Sequence, residues 1–74
     1  MDDFKKDLYF QLLAEASALG RKMISLEKLC ESDDFAQLSI YHREKIKNQL
    51  VVMRHYLDIV TDRMKELAED ISVF

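Results

Sequence analysis

With 74 residues and a formal net charge of −3, the chain has room for one domain at most. It is also too acidic for general DNA or RNA binding, which rests on many cations neutralising phosphates. With 34% charged and 49% hydrophobic residues, no proline and one glycine, the composition suits long helices in a bundle and not a disordered tail.

The opening MDDFKKDLYFQLL is amphipathic and has no basic stretch leading into a continuous apolar core, so no targeting segment is expected. The longest apolar run of the second half, Leu50 to Met53, is far too short to span a bilayer. A soluble, cytoplasmic chain with a single domain over residues 1–74 is the expectation. Cys30 is the only cysteine, which excludes an intrachain disulfide and a cysteine zinc cluster and fits a reducing compartment.

The first element is a helix from about Phe4 to Glu31, with Asp2 or Asp3 as its cap. Its apolar seam, Leu12, Ala16, Leu19, Met23, Leu26 and Cys30, alternates steps of four and three. Ala14, Ala16, Ala18 and Gly20 make its middle thin. Glycine costs about 1 kcal/mol against alanine inside a helix. Either a neighbouring helix approaches Gly20 closely, or the glycine is merely tolerated on an exposed face.

A break follows over Ser32 to Ser39, where serine and aspartate bond locally to the backbone in preference to continuing a helix. Phe35 and Leu38 are three apart and suit a single turn that plugs the open end of a hairpin. Ser39 is the natural N-cap of a second helix that runs from 40 to about 70 or beyond. Its seam is the longest pattern in the chain: Ile46, Leu50, Met53, Leu57, Val60, Met64, Leu67, Ile71 and Phe74. Two long helices joined by a short break make an all-α antiparallel hairpin. Phe4, Leu8, Tyr9, Phe10, Leu12 and Leu13 point to nearly all sides of the first helix, and Val52 and Ile59 extend the second stripe. A lone hairpin leaves several of these in water, so a homo-oligomeric helical bundle is expected, a dimer first and a tetramer next.

Between the second seam and the Val52–Ile59 row lie Gln49, Tyr56 and Arg63, seven apart. Polar groups set among apolar ones need partners. Arg63 offers a planar fork for phosphate or carboxylate, Tyr56 a ring and a hydroxyl, and Gln49 a donor with an acceptor. With Arg54 and Met53 added, these form the candidate ligand-binding set. Lys47, His42 and Tyr41 are candidates to contribute from an adjacent subunit. The plainer alternative is that Arg63 pairs with an acidic residue of the first helix, such as Glu15, while Tyr56 caps the interface. His42 and His55 are thirteen apart and share no metal within one chain. Asp58 with Asp62 and Glu66 with Asp70 read as a solvated face. No catalytic or phosphate-loop motif is present, so neither an enzyme, a metal site nor a cofactor is expected.

The segment LEKLCESDDFAQLSIYHREKIKNQLVVMRHYLDIVTDRM, from Leu26 to Met64, resembles a family of small phage-encoded helical hairpins related to crAssphage proteins. The resemblance lies in Leu26, the aromatic Phe35 before the Leu38-Ser39 cap, then Gln49, Leu50, Met53 and Tyr56, and the closing Arg63-Met64 pair. It covers about half the chain. It departs from the family after the cap, where Ile40-Tyr41-His42-Arg43 replaces an acidic stretch, and the first twenty-five residues lie outside it. The resemblance implies a phage origin, a place in the host cytosol and a compact oligomer. Such proteins are similar to anti-defence sponges, which sequester cyclic oligonucleotide signals of bacterial immunity. A protein-interaction module acting on a host protein through Phe4, Leu8, Phe10 and Leu13 is one alternative. A structural coiled coil whose Gln49-Tyr56-Arg63 row only fixes register is another.

Overall fold

The computed structural model describes residues 3–71. Helix α1 runs over Asp3–Glu31, a short 3-10 turn over Asp33–Gln37, and helix α2 over Ile40–Ile71. The two helices lie antiparallel in a rod with extents of 53 × 16 × 15 Å. Asp3 already belongs to α1, while the alternative cap Asp2 and the last seam residue Phe74 lie outside the described residues.

The break forms because the facing helix ends carry their own hydrogen-bond partners. The Ser32 hydroxyl donates to the Leu29 carbonyl at 2.8 Å, and the Ser32 amide donates to the same carbonyl at 3.1 Å. The Leu38 amide then closes the 3-10 turn on the Phe35 carbonyl at 3.1 Å. Phe35 and Leu38 are the half-buried members of this connection. Ser39 caps α2 as its sequence position requires: its Oγ accepts from the His42 amide at 3.1 Å, and its carbonyl from the Arg43 amide at 3.0 Å.

The core is the line where the two seams meet. Leu12 and Met23 from α1 and Ile46, Met53, Val60 and Ile71 from α2 are buried, Val60 completely. The remaining described seam residues are half-buried. Among the described residues no polar or charged residue is buried as a whole. One polar atom is nevertheless stranded: the Nε of Arg43 is buried without a hydrogen-bond partner among the described residues. Arg43 stands where the α2 seam would begin, three residues before Ile46.

Much apolar surface stays outside this line. Phe4 is 74% exposed, and Phe10, Leu13, Ile24, Val51, Val52 and Ile59 also face water. A β-carbon built on Gly20 meets nothing within 4 Å, so α2 does not press on it, and close packing within the hairpin does not explain this glycine. Neither helix is long and apolar enough to cross a membrane.

Candidate functional site

Residues seven apart on a helix return to the same face. Gln49, Tyr56 and Arg63 therefore line one edge of α2, and the antiparallel pairing sets a matching row of α1 beside them. Leu8 and Glu15, also seven apart, are its relevant members. The structure joins the two rows at two levels: Tyr56 meets Glu15, and Arg63 meets Leu8.

At the first level the Tyr56 hydroxyl donates a hydrogen bond to Oε1 of Glu15. This carboxylate holds the phenol above its ordinary value of 10.0, loss of water around the ring adds to the effect, and the positive charge of Arg63 opposes it. Arg63 is thus close enough to be felt at the phenol, yet it does not take the carboxylate. Of the plainer alternative, the interhelical bond from the Tyr56 hydroxyl is present, and it is this hydroxyl and not Arg63 that meets Glu15.

At the second level an open cleft of about 200 Å³ is lined by Leu8, Arg63, Glu66 and Leu67. Arg63 is exposed and makes no hydrogen bond or ion pair among the described residues. Its fork is available to an anion, and the neighbouring Glu66 restricts which side an anion approaches from. Small-molecule sites run from about 300 to 1,000 Å³ and enclose most of their ligand. The cleft of a single hairpin is too small and too open for that.

The rest of the sequence-derived set is scattered. Gln49 is exposed on the same row as Tyr56, about two turns towards the loop. Met53 is buried between the helices at 8% exposure, so it offers no surface for stacking. Arg54 sits on the opposite edge of α2, with Nη2 at 3.5 Å from Oε2 of Glu27. Lys47 stands beside Glu44 at 3.8 Å, and the Tyr41 ring lies 5.1 Å under the Lys45 ammonium. These groups, with His42, gather near the loop end, sixteen or more residues and about 24 Å from Arg63 along the helix. Leu8, Glu66 and Leu67 are the contributors not foreseen in this role. Their signal is positional: Leu8 precedes Glu15 by the heptad that separates Tyr56 from Arg63, and Glu66 is three after Arg63. No group of three or more histidine, cysteine, aspartate or glutamate side chains suited to a metal ion occurs among the described residues.

No curated protein and no solved structure matches the chain. The Sequestin family model matches residues 6–66, a span that holds both helices, the turn, and the row from Leu8 to Arg63 with Glu66. The chain belongs to the Sequestin family.

Proposed function

We propose that this chain is a non-enzymatic phage protein that sequesters a small cyclic nucleotide signal of bacterial immunity, at a site completed by a second copy. The observation that carries the reading is Arg63, which makes no hydrogen bond or ion pair among the described residues while the Tyr56 hydroxyl holds Glu15. A guanidinium beside an exposed Tyr56 ring suits a ligand that combines phosphate with a flat base. The half-open cleft suits closure by a symmetry mate. The family name points in the same direction, to capture and not to conversion. Gln49, Tyr56 and Arg63 are the binding residues in this reading. Met53 and Arg54 drop out, the first enclosed and the second on the far edge.

A thermal-shift screen of the purified protein against cyclic dinucleotides, cyclic trinucleotides and cyclic ADP-ribose isomers tests it. A ligand present at a hundred times its dissociation constant stabilises the folded protein by about 2.7 kcal/mol, a clear rise in melting temperature for a chain of this size. Silence across the whole panel sinks the reading.

The exposure of Phe4, Phe10 and Leu13 favours one competitor, a module that docks on a host protein through the start of α1. Under that alternative, Phe10→Asp removes the partner and leaves the nucleotide response unchanged.

A further inference from the structure

The exposed face of α2 has a symmetry in its sequence that the fold turns into a surface. Counting outwards from Tyr56, Val52 lies four residues back and Ile59 three ahead. Gln49 and Arg63 are seven away on either side, and Lys45 and Glu66 eleven and ten. His42 and Asp70 are fourteen away on either side. All nine residues are exposed and fall on two adjacent rows of α2. Each pair is matched in kind, aliphatic with aliphatic, amide with guanidinium, base with acid.

We infer that two copies of this chain pair through this face, with the α2 helices antiparallel about a two-fold axis beside Tyr56. Such an interface is isologous, so each pair occurs twice. Val52 of one protomer meets Ile59 of its partner, Gln49 meets Arg63, Lys45 meets Glu66, and the two Tyr56 rings flank the axis, while His42 comes up beside an Asp70 that already pairs with Lys5 of its own chain at 3.4 Å. A parallel arrangement sets Lys45 on Lys45, Arg63 on Arg63 and Glu66 on Glu66, like charges in contact that disfavour it. Within the chain, Lys45, Arg63 and Glu66 have no ion pair among the described residues, and a partner supplies one for Lys45 and Glu66.

The area agrees. A folded monomer of 8.8 kDa exposes about 4,800 Å² by the usual scaling with mass, whereas this chain exposes 5647 Å². The surplus is of the order of the ~800 Å² that each partner buries in a standard interface. The pairing has a consequence for the site, which does rest on the nucleotide reading. Each Arg63 lies about 10 Å from the axis and its mate about 21 Å away. One small nucleotide does not reach both guanidinia, so each dimer holds two sites, each with Arg63 from one protomer and Gln49 from the other.

A charge reversal tests the pairing without any ligand, so that its failure is separate from a failure to bind nucleotide. In sedimentation at low salt, Lys45→Glu and Glu66→Lys each weaken the dimer by about tenfold, with helical content unchanged by circular dichroism. The double variant returns to wild-type association. In a Cys30→Ser background, Tyr56→Cys forms an interchain disulfide under mild oxidation, while Asp62→Cys on the outer face does not. A double variant that stays as weak as the singles overturns the pairing. So does efficient crosslinking through Asp62→Cys but not through Tyr56→Cys, or a wild-type protein that is monomeric at micromolar concentration.

Discussion

Glu15 gives the polar row its character, because it accepts the hydrogen bond of the Tyr56 hydroxyl. The phenol takes it, and the guanidinium is left to something else. The heptad spacing places Tyr56, Arg63 and Glu15 on facing edges, so their proximity is legible in the sequence. Which donor Glu15 accepts is not, since spacing sets the two rows side by side and only the packed geometry selects the contact. The bond also leaves a trace in pH. Tyr56 has a raised pKa, so its contribution is fully present below the unfolded value of 10.0 and is lost as pH rises through the folded one. Stability of the wild-type hairpin is therefore expected to fall above pH 10 more steeply than that of Tyr56→Phe, read by chemical denaturation at a series of alkaline pH values. Equal slopes would show that the hydroxyl contributes nothing. Arg43 carries the opposite lesson. Its Nε is stranded at the loop end of the seam, and Arg43→Met, apolar and of similar length, is expected to leave stability unchanged or raise it slightly in a thermal melt.

At the scale of elements the sequence is close to a blueprint. Unbroken 4-3 seams, the absence of proline, and Ser39 at the head of the second seam give both helices to within a residue of their described ends. Serine and aspartate between them give the turn. The same seam already encloses Met53, and Arg54, one residue later, turns to the opposite edge. Residue type suggests both as ligands, while helical register assigns them elsewhere. The register wins because burial in the seam follows from packing and not from chemistry. Gly20 is less legible, because a missing side chain means different things on different faces. Here a β-carbon meets nothing, so Gly20→Ala is expected to stabilise the hairpin by about 1 kcal/mol through helix propensity alone. The melting temperature then rises by several degrees. Association stays unchanged, since the pairing face lies on α2. A Gly20→Ala protein that melts higher but dissociates would place a partner helix against α1.

For the molecule as a whole, the central fact is a rod with one line of core and apolar residues on its flanks. Six buried side chains among the described residues are a small core for a chain of this length, and chains of this size commonly add oligomerisation to reach useful stability. The seams fold the hairpin. The residues left outside them, Val52, Tyr56, Ile59 and Arg63, are what the hairpin presents to other molecules. In the proposed reading second copies and ligands meet on the same surface, so binding and assembly would reinforce each other: a ligand that fits only the paired state strengthens the dimer by linkage. Calorimetric titration of the wild-type protein and Arg63→Ala, using whichever cyclic nucleotide gives a thermal shift, tests this most directly. The expected result is saturable binding with one ligand per chain for the wild type. For Arg63→Ala, binding is lost while the hairpin stays folded. Binding of equal affinity by Arg63→Ala, or no heat from any cyclic nucleotide with the folded wild-type protein, would contradict the account.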